Sequence, residues 1–428
     1  MSRRRVLILC YFYPPLAGGG VHRALAFTRY LPAQGWDCSV VCAGEEDYWV
    51  MDSSLGARVP PETEVLRVRG GSAIAAWLRL RGSQRGRRAG GTFATLRRLS
   101  DWWLMPDSYA GWAERARAAA ARRLERGDID VVLSTSPPDS VHLAALALRR
   151  RFGVPWVADF RDPWVGLYLR EPPTSWHRAR QARLERAVLE GADRVLVASR
   201  THARELGKRS DAQVPVDRQV HLPNGFEPGE TEARPAPEAE MFTLVFTGTL
   251  SQMPDTGTFL EALHDLFVRR PDVRRRLRAR LVGPFDADYA DRAVALGLTG
   301  IVEFTGPMAH AETRAMQRSA AALLLWKPRG MPTMVPGKLY EYLDAGRPLL
   351  ALLDSDDEAA ELVRRAGGAV IAPGDRASAA AWIESQFEKW KAGGAAAPSR
   401  PVWLEDHRRD VLAGRLAGVL DALVGSRA

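Results

Sequence analysis

Two stretches of this chain carry residue types that hold phosphate. In the first, an apolar run opening at Val6 meets the pair Pro14 and Pro15 and then Gly18, Gly19 and Gly20. Beyond these, Ala24, Leu25, Phe27 and Leu31 keep helical spacing as far as Gly35, a natural C-terminal stop. Glycines at a strand-to-helix junction let backbone N–H groups face a ligand, and the helix start contributes about half a positive charge, so an anion is the expected guest. The spacing is not the G-x-G-x-x-G of dinucleotide sites, and a tight turn without a ligand is the other account of this segment taken alone. In the second stretch, residues 330–338 form a loop with Gly330 and Gly337 between an apolar run ending at Trp326 and a helical pattern from Leu339. Lys338 stands in the first turn, where it offers a point charge to a diphosphate, and Glu341 follows on the same helix as an acceptor for sugar hydroxyls. A surface ion pair between the two at i, i+3 is the plainer alternative, stabilising the helix by a few tenths of a kcal/mol.

Two further strand ends are rich in polar groups. Residues 134–140 read Ser-Thr-Ser-Pro-Pro-Asp-Ser, with Asp or Ser as helix N-cap, a pattern more often structural than functional. Residues 159–164 read Asp-Phe-Arg-Asp-Pro-Trp, placing Asp159, Arg161 and Asp162 directly after an apolar run.

The elements that must position these residues alternate. Strand-like runs at 38–43, 130–134, 155–158, 194–198 and 220–222 are separated by helical patterns, and a second series follows at 242–246, 280–282, 301–304, 321–326, 348–352 and 369–371. Alternation of this kind predicts parallel sheets covered by helices, two doubly wound sheets in all. Ligands of such sheets bind outside the carboxyl ends of the strands, so two facing sheets define a cleft. The expected division is an N-terminal domain over 1–226, a Pro-, Glu- and Ala-rich linker over 227–240, a second domain over 241–404 and a C-terminal helix over 405–428.

At 428 residues the chain exceeds what one core serves, which agrees with two domains of about 200 residues each. The net charge of +9 comes almost wholly from arginine, lysine occurring only at 208, 327, 338, 389 and 391. No helix-turn-helix, zinc-finger or RNP pattern accompanies it, so no nucleic-acid partner is expected. Cys10, Cys38 and Cys42 lie in apolar runs without Cys-x-x-Cys or histidine spacing, which predicts buried thiols in a reducing compartment and no metal ligands. No signal peptide and no apolar run of about 20 residues is present, so a cytoplasmic protein is expected, soluble or peripheral on the inner face of a membrane.

Residues 70–112 depart from the alternating scheme. Trp77, Trp102, Trp103 and several leucines are interleaved there with Arg79, Arg81, Arg85, Arg87, Arg88, Arg97 and Arg98. Two accounts stand: an interfacial membrane contact, or an insertion whose tryptophans pack on the N-terminal domain while its arginines solvate it.

The block Tyr11-x-Tyr13-Pro14-Pro15 with Gly18, Gly19, Gly20 and Arg23 resembles glycosyltransferase family 4, which has the GT-B fold. The runs 159–164, 223–226, 302–306 and 338–348 continue the resemblance over nearly the whole chain. The resemblance implies transfer of a sugar, with retention, from a nucleotide diphosphate sugar held by the C-terminal domain to a polysaccharide, glycolipid or metabolite acceptor held by the N-terminal one. It implies no cofactor beyond that donor and no metal. Gly18, Gly19 and Gly20 would face the diphosphate or acceptor, the backbone at Gly306 and Met308 the base, and Glu341 the donor ribose. The C-terminal helix would cross back to the first domain.

Departures from the family pattern are specific. Its pair of glutamates eight apart appears here as Thr333 and Glu341, so one carboxylate is missing. Its Arg and Lys after the first strand of the second domain are absent from residues 246–255, leaving Lys338, Arg161, Arg23 and Lys327 as sources of positive charge. Arg161 stands where many members have histidine. The candidate catalytic residues are thus Arg161, Lys338, Glu341 and Asp159. The candidate binding residues are Gly18, Gly19, Gly20, Arg23, Asp162, Gly248, Gly306, Met308, Lys327, Thr333 and Gly337. Rival expectations are a nucleotide-sugar epimerase or hydrolase on the same scaffold, and a non-catalytic member that binds sugar nucleotide or a partner.

Overall fold

The structure is a computed structural model and describes residues 3–45, 51–71, 102–166, 172–209, 215–228, 240–250, 257–327, 330–393 and 399–425. Most of the linker expected at 227–240 and most of the insertion at 70–112, including Trp77 and its neighbouring arginines, lie outside the described residues. The chain divides into two compact units. One runs to Asn224 and includes the chain from Arg408 onward, and the other covers Gly225–His407.

The first unit holds a seven-stranded parallel sheet of β1 (Arg4–Leu9), β2 (Trp36–Ala43), β3 (Glu64–Val68), β4 (Val131–Ser136), β5 (Trp156–Phe160), β6 (Arg194–Val197) and β7 (Gln219–His221), in the order β3-β2-β1-β4-β5-β6-β7. Its helices are α1 (Val21–Tyr30), the short α2 (Ser53–Gly56), α3 (Ala110–Leu124), α4 (Ser140–Phe152), α5 (Ser175–Gly191), α6 (Arg200–Arg209) and α14 (Arg409–Gly425). Both faces of the sheet are covered, which is why its strands read as continuous apolar runs. Leu7, Leu9 and Tyr11 point to the core shared with α3, α4 and α5. Val6, Ile8 and Cys10 point to the opposite core, closed by Ala24 and Phe27 of α1 and by Leu412, Leu416, Leu420 and Leu423 of α14. Asp421 of α14 accepts hydrogen bonds from Arg4 and the Trp36 indole, so the C-terminal helix is an integral layer of this unit. All three cysteines are buried free thiols, and burial pushes those of Cys38 and Cys42 up to about 12. Strand β3 is absent from the sequence-derived set because Glu64-Val65-Leu66-Arg67-Val68 is a half-exposed edge strand with charged positions.

The second unit repeats the plan with six parallel strands, β8 (Phe242–Thr247), β9 (Leu277–Val282), β10 (Val302–Gly306), β11 (Ala322–Trp326), β12 (Leu349–Leu352) and β13 (Ala369–Ile371), ordered β10-β9-β8-β11-β12-β13. Helices α7 (Gly257–Arg269), α8 (Pro271–Arg276), α9 (Ala287–Ala295), α10 (His310–Ser319), α11 (Gly337–Ala345), α12 (Glu358–Arg365) and α13 (Arg376–Lys391) cover it. The direction of winding reverses between β1 and β4 in one sheet and between β8 and β11 in the other, and such switch points open a crevice at the carboxyl ends of the strands. Glycine-containing loops follow β1, β8 and β11 at that edge, whereas the loop after β4 is Pro137-Pro138-Asp139.

Candidate active site

At the switch point of the first sheet, Gly18 adopts φ +106°, a conformation that only glycine takes at no cost, and the chain turns into α1 behind it. Gly20 is the helix N-cap and no side chain caps the helix start, so the positive end of α1 carries no side-chain acceptor. A Cβ at Gly19 would meet no atom within 4 Å, whereas one at Gly20 would press on Phe12 and on the Arg161 guanidinium at 3.1–3.2 Å. Arg161 explains that closeness. Its Nη1 donates to the Gly20 carbonyl at 2.5 Å, its Nε to Ser136 O at 2.6 Å and its Nη2 to Pro137 O at 3.1 Å. One guanidinium thus ties the glycine loop to the end of β4. Burial pulls its pKa below the ordinary arginine value, opposed by the nearby Asp162 and Asp159 charges.

Arg23 and Asp159 are spent on each other. The pair is bidentate, Nε to Oδ2 and Nη2 to Oδ1 both at 2.8 Å, and fully enclosed. Thr135 Oγ1 donates to the same carboxylate, and Arg23 donates to the carbonyls of Leu222 and Pro223. With every strong partner internal, neither the free cation nor the free carboxylate expected at these positions exists. The pair instead pins α1 to the ends of β4, β5 and the segment after β7. Behind it, Ser134 Oγ lies 2.7 Å from His142 Nδ1 and accepts from the Trp156 indole. Burial holds the imidazole neutral, its pKa pulled down to about 3, while it stacks on Phe160.

At the switch point of the second sheet the arrangement differs. Lys338, in the first turn of α11, sets its Nζ 3.8 Å from the centroid of the Phe246 ring, which in turn stacks on Trp326 at 4.1 Å. No carboxylate lies within salt-bridge distance of this ammonium among the described residues, and burial pulls its pKa down to about 7. The i, i+3 pair with Glu341 that the spacing allows is not formed. Gly248, at φ +129°, makes the room, since a Cβ there would sit 2.9 Å from Lys338 Nζ. No side chain caps α11, so Gly337 and Lys338 stand at an open helix start. A cation resting on an aromatic face beside that start lacks only an anion.

Lys327 does not share this freedom. Its ammonium pairs with Asp357 at 2.5 Å and donates to the carbonyls of Met331 and Met334 at 2.5 and 2.6 Å. Contrary to its expected role as a site charge, it fastens the loop that leads into α11. Thr333 lies in that loop, half-buried.

Glu341 is buried one turn further along α11. Its Oε1 accepts from His310 Nε2 at 3.1 Å, and its carbonyl accepts from Arg314 at 2.8 Å. Arg314 also bonds Gln317 and Asp344, Gln317 bonds Thr247, and the Thr247 N–H donates to the Tyr342 hydroxyl. This network locks α10, α11 and the end of β8 as one body. Gly306 turns the chain at φ +75° after β10, and Met308 beyond it is exposed. Of these contacts, the sequence signalled Lys338 and Glu341. His310, Arg314, Gln317 and Thr247 carry no local pattern, because they meet across separations of 27 to 95 residues. Among the described residues no group of three or more His, Cys, Asp or Glu is placed to hold a metal ion.

Residues 18–225 match the family described as glycosyl transferase 4-like domain. The fold is shared with solved structures at low identity. Sucrose-phosphate synthase from Thermosynechococcus elongatus aligns with a TM-score of 0.59 at 14% identity, covering 99% of this chain and 97% of that one. WaaG, a glycosyltransferase involved in lipopolysaccharide biosynthesis, aligns with a TM-score of 0.58 at 16% identity, covering 97% and 99% respectively. OtsA in its apo form aligns with a TM-score of 0.64 at 15% identity, covering 97% and 99%. No curated protein matches the sequence.

Proposed function

From a chain that is a glycosyltransferase of the GT-B fold, with a glycosyl transferase 4-like domain over residues 18–225, we propose a retaining transferase that uses a nucleotide diphosphate sugar. The acceptor is a polysaccharide, a glycolipid or a metabolite. The observation that carries this reading is Lys338. Among the described residues its ammonium rests at the switch point of the second sheet on an aromatic ring with no carboxylate partner, beside an uncapped helix start. A diphosphate supplies what both lack.

In this reading Lys338 and the first turn of α11 offset the charge that develops on the leaving diphosphate, and the step needs no metal. Glu341, held by His310, accepts hydrogen bonds from the ribose hydroxyls, and the backbone at Gly306 and Met308 faces the base. The Gly18, Gly19 and Gly20 loop, braced by Arg161, presents backbone N–H groups to the acceptor side or to the phosphates. Arg161 here is a positioning residue, since its three strongest contacts are to carbonyls of the protein. Arg23, Asp159 and Lys327 are structural. The charge missing from residues 246–255 is thereby supplied by Lys338, from the neighbouring helix.

Calorimetry of a nucleoside diphosphate in the presence of a chelator tests the assignment. The expected result is binding by the wild type and at least roughly tenfold weaker binding by Lys338→Ala, the loss of one charge-assisted contact. Equal affinities would remove Lys338 from the site.

A further inference from the structure

We propose that the first unit docks on an anionic lipid surface through a tryptophan and arginine platform built from the start of α5 and residues 102–106. All three large exposed aromatic side chains among the described residues lie there: Trp103 is 86% exposed, Trp176 64% and Trp102 50%. Scattered exposed apolar residues need no explanation, but three clustered indoles do.

The platform is rigid. Thr174 caps α5 by accepting from the His177 N–H, and its hydroxyl lies 2.8 Å from His177 Nδ1. His177 Nε2 reaches the Trp102 carbonyl at 3.3 Å, so one buried imidazole joins the two segments. Its ring packs edge-on against Trp102 at 5.5 Å and Trp176 at 4.9 Å. One turn on, Gln181 donates to the Pro106 carbonyl and accepts from the Trp164 indole, both at 2.7 Å. The inner face of α5 therefore fixes Trp102 and Trp176 in place, with Trp103 next to Trp102 in the chain.

The outer face supplies charge. Trp176, Arg180 and Arg183 follow at i, i+4 and i+7, all exposed on one side of the helix. Neither arginine has a carboxylate within 4 Å among the described residues. Indoles seat at the level of lipid headgroups, while arginine stems lie along the surface and their heads reach phosphates, so apolar area and charge act together. A neutral carbohydrate would use the indoles but give the positive charge of the arginines no counterpart, whereas lipid phosphates supply one.

The platform lies on a functional edge. Asp107 accepts from Ser140 N and Oγ at the start of α4, which places residues 102–107 at the carboxyl end of β4. Trp164 and α5 follow β5, two strands from the Gly18, Gly19 and Gly20 loop. Docking there would bring the candidate active edge to a lipid-linked acceptor. That consequence rests on the transferase reading, whereas the docking does not.

Flotation with vesicles of phosphatidylglycerol and phosphatidylcholine, against phosphatidylcholine alone, tests the proposal. The wild type should float with the anionic vesicles at low salt, stay in solution with the neutral ones, and be released at high salt. Arg180→Ser should lower vesicle partitioning roughly fivefold, and Trp103→Ser with Trp176→Ser roughly tenfold or more. All these positions are exposed, so the melting temperature should stay that of the wild type, which checks folding. No flotation at low salt, or flotation of the variants equal to wild type, would overturn the proposal. So would salt-insensitive retention on a neutral dextran resin that the tryptophan variants lose, the mark of a carbohydrate platform. Nucleoside diphosphate calorimetry on the same variants separates the two claims: vesicle binding without nucleotide binding leaves the docking standing and removes the donor reading.

Discussion

Lys338 is a cation with an aromatic ring for its neighbour and no carboxylate within salt-bridge distance among the described residues, and its chemistry follows from that. A free-state pKa near 7, where lysine ordinarily stands near 10.5, means that above neutrality the ammonium is largely deprotonated in the unliganded protein. An incoming diphosphate favours the charged form, so binding takes up a proton. Affinity for a nucleoside diphosphate should then fall as pH rises through 7 toward 9, by up to tenfold per unit, and calorimetric enthalpies should depend on buffer ionisation. Lys338→Met should bind weakly and without this dependence. A pH-independent wild type would contradict the assignment. Glu341 belongs to the same scale. Glu341→Gln keeps the shape of the side chain but removes the charge that faces His310 and that the proposed reading gives to a sugar hydroxyl. It should raise the donor KM and lower kcat/KM by about 1.5–3 kcal/mol, roughly ten- to a hundredfold. Unchanged donor kinetics in a folded variant would count against the ribose role.

At the scale of elements, the sequence marks strand ends far better than it marks partners. Apolar runs and glycines located both switch-point loops and nearly every strand, because buried parallel strands and positive-φ turns restrict residue type locally. Pairing does not. The motif that carries Asp159 reads as catalytic in sequence, yet the carboxylate serves Arg23, 136 positions away, and nothing local announces that. The enclosed pair implies a clear stability effect. Arg23→Met should cost about 3–5 kcal/mol, since it strands a buried carboxylate, and the double variant Arg23→Met with Asp159→Leu should lose less than the sum of the single losses. Chemical denaturation measures both. A stable Arg23→Met with impaired nucleotide binding would return Arg23 to the site. The glycine loop makes the opposite prediction. A side chain at Gly19 enters open space, so Gly19→Val should keep its melting temperature and its affinity for free nucleotide while losing transfer activity. Full activity would exclude the loop from the reaction.

Across the whole molecule, two sheets of the same winding carry unequal equipment. The first edge is braced, its charges paired off and its glycine loop held by Arg161. The second holds Lys338, whose ammonium has no carboxylate within salt-bridge distance among the described residues, and the buried Glu341, whose carboxylate is held by His310. The duplicated plan was legible from the alternation of strand and helix patterns and from the motif blocks, and the family resemblance implied a C-terminal helix returning to the first domain, whereas the contact of α14 with α1 through Leu412, Leu416, Leu420 and Phe27 has no local signal in the sequence. No helix among the described residues is long and apolar enough to cross a membrane. The most direct test of the central claim is to incubate the purified protein, in chelator, with a panel of nucleotide sugars, with and without a pool of lipid-linked and soluble acceptors, and to measure released nucleoside diphosphate. Release from one donor class only when acceptor is present is the predicted result. Turnover of a donor without acceptor, or no release from any combination by a folded protein, would contradict it.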